Sequence, residues 1–270
     1  MKNILLALLL FLTFSTTAAL AQTAEEYYNM GLDAYDAQNY ADAERYYTKA
    51  IELKPNYANA WYNRGYTRNT MEKFYEAISD FTKVIELEPD AFDAYSERGY
   101  AKYNLKMYKE SIADDTKALE IKPDDSISYY NRGLSLYALK DYYSAIADFG
   151  KVIELKPSHY NAYFKRGLSK DMLKDYAGAI ADYSKSIEIK PDYADAWYNR
   201  AAAKSDNGDY YGAVADYNKV IEMEPNADDA YYGRGLAKKK LKDMDGAKLD
   251  FQKAYELKPS NSMYKKAAGQ

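Results

Sequence analysis

Apolar residues return along this chain with a helical rhythm that repeats. Ile51, Ile85, Leu119, Ile153, Ile187 and Ile221 lie 34 residues apart and mark the apolar face of one recurring helix. Two further positions keep the same interval and are small. Gly31, Gly65, Gly99, Gly133, Gly167, Ala201 and Gly235 form one set, and Ala43, Ala77, Ser111, Ala145, Ala179, Ala213 and Ala247 the other. Small residues facing each other let two helix backbones approach closely. All seven prolines obey the same spacing, from Pro55 to Pro259, and proline inside a helix removes a hydrogen bond and clashes with the preceding turn. Each proline therefore marks a helix end. In the second copy the pattern predicts helix A over about Ala60 to Thr70 and helix B over about Tyr75 to Leu87. Turn and cap formers separate them in each copy, as in Gln38-Asn39, Lys140-Asp141 and Asn207-Gly208-Asp209.

The second copy, Trp61 to Pro89, shows the unit most plainly. Trp61, Gly65, Ala77, Phe81 and Pro89 stand where the tetratricopeptide repeat has its Trp, Gly, Ala, aromatic and Pro, and the unit resembles that family. Seven copies in register carry the resemblance over residues 24–57, 58–91, 92–125, 126–159, 160–193, 194–227 and 228–261, followed by a short tail, 262–270. It implies an all-α fold, a right-handed superhelical solenoid of helix-turn-helix repeats with one continuous core. Solenoids need polar ends. Lys248 partly polarises the last repeat, and an incomplete cap there would leave a face for a partner or a second copy.

Aromatic stripes at 34-residue spacing, such as Tyr27, Trp61, Tyr95 and Tyr129, read as core packing rather than a cofactor box. Lys-Glu pairs three residues apart, from Lys49-Glu52 to Lys253-Glu256, read as a solvated outer face. A departure from the family pattern is more informative. Six repeats carry Arg before the small residue of helix A: Arg64, Arg98, Arg132, Arg166, Arg200 and Arg234. Sixteen residues later each has Asp, from Asp80 to Asp250, and the first repeat has neither, with Met30 and Tyr46 instead. Joint presence and joint absence predict a ladder of partly buried Arg–Asp bridges within repeats. The competing reading lines a groove for anionic ligands with these arginines.

Composition narrows the function. A formal net charge of −4 and a pI near 5.3 leave no nucleic-acid footprint. The absence of cysteine excludes disulfides, thiol catalysis and cysteine-ligated zinc. The one histidine, His159, sits in a linker without a carboxylate cluster, and no glycine-rich phosphate loop occurs. No catalytic residue, metal ligand or cofactor is expected, and the chain reads as a non-enzyme. At the N-terminus Lys2, the apolar run Ile4 to Phe14 and Ala19-Leu20-Ala21 read as a signal peptide over residues 1–21. An uncleaved anchor is the alternative, although the run is short for a span. With no cysteine after the run, a lipoprotein anchor is excluded. The mature chain is expected to be exported, periplasmic or secreted, bacterial, and without a membrane span.

The resemblance implies that helix A lines a concave groove for partner segments. The groove positions it implies are Tyr28, Asn29, Tyr62, Asn63, Tyr66, Glu97, Tyr100, Tyr130, Asn131, Phe164, Lys165, Tyr198, Asn199 and Tyr232. A protein or peptide partner is expected, with the chain as scaffold or assembly adaptor in the bacterial envelope. A cell-wall glycan is the alternative ligand for a tyrosine-rich groove. The family's carboxylate clamp would need Lys where Tyr28 stands and Asn where Leu32 stands. Repeats 3 and 5 deviate, with Ser96-Glu97 and Phe164-Lys165 in place of the Tyr-Asn pair and charges of opposite sign; in repeat 3 Asp115 also replaces a core ring such as Phe81 or Phe149. Asp115 either weakens the core there or turns to solvent.

Overall fold

The structure, a computed structural model, describes residues 22–269. The expected signal peptide lies outside the described residues. Those residues form fifteen α-helices and no strand. The chain divides into two compact units after Pro89.

The N-terminal unit holds repeats 1 and 2: α1 (Ala24–Asp36), α2 (Tyr40–Leu53), α3 (Ala58–Thr70) and α4 (Phe74–Leu87). Consecutive helices pack on one another. The C-terminal unit holds repeats 3 to 7. Its helices are α5 (Phe92–Asn104), α6 (Tyr108–Ile121), α7 (Ser126–Ala138), α8 (Tyr142–Leu155), α9 (Tyr160–Met172), α10 (Tyr176–Ile189), α11 (Ala194–Asp206), α12 (Tyr210–Met223), α13 (Asp228–Lys240), α14 (Met244–Leu257) and α15 (Ser262–Ala267). Within this unit each helix A also touches the helix A of the next repeat.

Local chemistry sets the helix ends. Every helix B stops two residues before its proline, and the residue between leaves the helical region, as at Lys54 (φ −138°, ψ 84°). A residue before proline is pushed out of the α region. Every helix A ends in a Schellman turn, as where the Asp141 amide donates to the Leu136 carbonyl. That turn needs one left-handed residue. Only repeat 6 uses glycine there, Gly208 at φ 87°, whereas Gln38, Glu72, Lys106, Lys140, Lys174 and Lys242 adopt φ between 59° and 66°. Asn39, Asp141, Asp175, Asp209 and Asp243 cap helix B, whereas Lys73 and Met107 make no side-chain cap.

The small residue of helix A lies against a ring of helix B. A Cβ added to Gly133 would sit 2.8 Å from the Phe149 ring, and one on Gly167 2.7 Å from Tyr183. These rings are fully buried and form the core with the alanines of helix B. Short α15 closes the last repeat. Its Tyr264 is buried on Tyr232, with centroids 4.9 Å apart, and Ala268 joins the Phe251 cluster. The end expected to lack a cap is thus covered in part by the tail.

The Arg–Asp ladder is present in all six repeats. Each guanidinium grips its own repeat's Asp through Nε and Nη2 at 2.6–3.0 Å. The Asp side chains are buried, so the arginines are spent on structure. Each guanidinium also lies 4.7–5.7 Å from the ring three residues before it, from Trp61 to Tyr231. The free Nη1 reaches back to helix B of the preceding repeat in three cases that share a unit with their partner hydroxyl: Thr48, Thr116 and Ser184. Asn218 serves Arg234 in the same way. One bridge therefore ties three helices. A second cation, one turn beyond the Arg, completes most rungs: Arg68, Lys102, Lys170, Lys204 and Lys238 lie 2.6–2.8 Å from the same Asp. Repeat 4 has Leu136 at that point, leaving Asp148 to Arg132. Six of the seven Lys-Glu surface pairs form; in the last repeat Glu256 accepts from Gln252 instead.

Two stability outcomes follow from this frame. Lys140→Gly should stabilise the chain by about 0.5–1 kcal/mol in chemical denaturation, because relief of left-handed strain exceeds the added unfolded-state entropy. Asp148→Ala should destabilise by about 3–5 kcal/mol by stranding Arg132, while Arg132→Leu with Asp148→Leu should cost much less than the sum of the singles. Additive single and double effects would show that the two side chains act independently.

Candidate functional site: the helix A face

The residues implied for the groove lie on helix A of successive repeats, and the structure sorts them by what their side chains meet. In the N-terminal unit the Tyr28 ring packs on Tyr47 and Tyr57, at 5.8 and 5.0 Å, and its hydroxyl accepts from Asn63 Nδ2 at 2.8 Å. Tyr62 meets Phe81 edge-on at 5.6 Å and stacks over Tyr66. Asn29 and Tyr66 are exposed.

In the C-terminal unit the same half-core character returns. Tyr130 lies between Phe149 and His159, Tyr198 on Tyr217, and Tyr232 between Phe251 and Tyr264. Phe164, only 5 % exposed, is wedged between Tyr183 and Tyr193. Asn131 is also buried and donates to Ser96 Oγ at 3.5 Å. Phe164 and Asn131 therefore serve packing and present little to a ligand. Asn199 donates to the carbonyl of Asp195 and is half-buried, as is Glu97; Tyr100 is exposed. Lys165 is half-buried over Phe164, and burial lowers its pKa against the opposing pull of Asp195.

The physical reason is geometric. The tyrosine at the position of Tyr28 and Tyr130 fills the gap between its own helix B and the linker that follows, which leaves it half-buried. The residue one turn on has no such gap to fill. Leu32, Tyr66, Tyr100 and Leu236 occupy that position and are 37–44 % exposed. Periodicity could not separate the two positions, because both lie on the same side of helix A. A cavity of about 640 Å³ adjoins Leu236, lined also by Ser205, Asp206, Tyr210, Ala237, Lys239 and Lys240.

Burial raises the pKa of several of these phenols, Tyr130 and Tyr198 among them, and Tyr193 is pushed up to about 12. They remain neutral hydrogen-bonding groups at physiological pH. No group of three or more His, Asp or Glu side chains among the described residues could hold a metal. No described helix is long and apolar enough to cross a membrane.

Family models for the tetratricopeptide repeat match residues 24–57, 58–91, 92–125, 126–159, 194–227 and 228–261, and a further TPR repeat model matches 173–208. This chain belongs to the tetratricopeptide repeat family. Residues 160–172, which these models leave out, form α9 and complete the fifth helix pair. Solved repeat proteins share the fold. One from Parabacteroides merdae is 22 % identical with a TM-score of 0.66, covering 91 % of this chain and 97 % of its own. The C-terminal part of a repeat-containing protein from Cytophaga hutchinsonii is 18 % identical with a TM-score of 0.73, covering 89 % and 98 %. YrrB, a repeat protein with an unusual peptide-binding site, is 24 % identical with a TM-score of 0.60, covering 68 % and 95 %. No curated protein matches the chain.

His159 is a structural group. Its Nδ1 accepts from the Ala162 amide and caps α9, while its ring packs on Tyr130. Burial, then the charge of Lys156, lowers its pKa. A histidine held neutral in the fold contributes stability that is complete above its unfolded value, about 6.5, and is lost as pH falls through its folded value. Thermal unfolding should therefore show an acid-side loss below about pH 6.5 that His159→Asn, a neutral cap, reduces. An unchanged pH profile in H159N would exclude this role.

Proposed function

We propose that this chain is a non-enzymatic interaction scaffold that holds a protein segment along the helix A face, in the bacterial envelope. One observation carries the reading: in each unit, part-exposed tyrosine and leucine side chains recur at one position of helix A, on a frame whose helix A arginines are already paired with aspartates. Aromatic and aliphatic anchors on a preorganised surface lose little conformational entropy on binding. Tetratricopeptide repeat proteins bind peptides and proteins, and the peptide-binding site of YrrB accords with that use of the fold. The envelope assignment rests on the signal-like residues 1–21.

The test is affinity capture from an envelope extract with the chain from Gln22 onward as bait. A variant with Tyr66, Tyr100 and Leu236 changed to Ser should retain its helicity by circular dichroism, since these side chains are exposed. Anchors of this kind are worth more than about 1 kcal/mol each, so the partner's affinity should fall at least roughly tenfold. Equal capture by both baits would move the interaction off helix A. Retention of cell-wall fragments alone would put a glycan in place of the protein segment.

A further inference from the structure

Repeat 3 is built differently from the other six. Elsewhere two rings pack together between helix A and helix B, as with Tyr62–Phe81 and Tyr130–Phe149 at 5.6 and 5.7 Å. In repeat 3 both are lost, to Ser96 and Asp115. Asp115 does not turn to solvent: its side chain is fully buried. The carboxyl lies against Gly99 of α5, where a Cβ would meet Oδ1 at 2.9 Å.

The site supplies almost nothing to hold a charge. Oδ1 has no hydrogen-bond partner, and Oδ2 has only Ser111 Oγ at 3.4 Å. Ser111 Oγ in turn accepts from Ser135 Oγ of α7 at 2.9 Å. Of the charged neighbours only Arg132 of α7 favours the ionised form, and its guanidinium is committed to Asp148. Asp114 of α6 and Asp148 of α8 are both acidic. Arg98 of α5 grips Asp114. An isolated buried carboxylate is costly, and such a group takes up a proton instead.

We propose that Asp115 makes repeat 3 a pH-responsive joint: its neutral carboxyl is held between α5 and α6, and ionisation loosens that helix pair. Burial first, and then Asp114, drives its pKa well above the ordinary aspartate value. A carboxyl with a raised folded pKa gives stability that is complete below its unfolded value, about 3.9, and is lost as pH rises through its folded value. Within that window the opening constant of the helix pair rises about tenfold per pH unit. Glu97 and Tyr100 ride on α5, so loosening it alters the helix A face of the proposed function; the joint itself does not depend on that function.

Amide hydrogen exchange on the chain from Gln22 onward, from about pH 4.5 to about pH 8 and corrected for intrinsic rates, tests this. Opening of α5 and α6 should steepen with pH while α11 and α12 of the same unit change little, and Asp115→Asn should abolish the difference. An equal slope in both helix pairs, or an unchanged slope in D115N, would overturn the proposal. Should D115N fail to fold, carboxyl-carbon NMR of the unsubstituted chain decides. A titration midpoint for Asp115 well above that of exposed aspartates supports the joint, and one near about 3.9 refutes it.

Discussion

The contact of a helix B ring with a bare helix A backbone is the constraint on which the repeat depends. Gly31 shows how little space remains, since a Cβ there would fall 2.5 Å from the Tyr47 ring. This close approach sets the distance between the two helices. It buries the alanines beside them and brings Arg and Asp of the same repeat within reach of each other. The bidentate bridge then adds direction to a contact that hydrophobic burial leaves non-directional. With the Nη1 bond to the preceding helix B, as from Arg132 to Thr116, intra-repeat geometry becomes a relation between neighbours.

This arrangement explains why the charged residues of helix A are poor candidates for ligand contact. The arginines are committed to aspartates and stacked on rings, and in five repeats a second cation shares the carboxylate's Oδ2 with the arginine Nε. The surface left for a partner is therefore mainly phenol, amide and aliphatic, with Glu97, Lys165 and the lysines beside Leu236 as its charged groups. Such a surface favours adaptable contact with a peptide over recognition of a highly charged ligand.

Repeat 3 interrupts the pattern within the C-terminal unit. Its helix B has no capping side chain, its ring pair is gone, and a carboxyl occupies the core. The array thus carries one interface held by polar groups among others held by rings. The last repeat solves the opposite problem. There a short tail helix supplies Tyr264, which does for Tyr232 what His159 and Tyr193 do for Tyr130 and Phe164 in the linkers.

Proline spacing, small-residue spacing and the shared presence of Arg and Asp made the repeat, its helix ends and the ladder legible without coordinates. Each is a local or pairwise constraint that returns every 34 residues, so seven copies reinforce one signal. What a side chain does within the helix A face was not legible in this way. Tyr62 and Tyr66 sit on one side of the same helix, yet one plugs a gap between helices and the other is exposed. The fates of Phe164, Asn131 and Asp115 were equally hidden, because burial there depends on the neighbouring helix and linker. Periodicity names the face of a helix; only packing against the next element decides which residues on that face reach solvent.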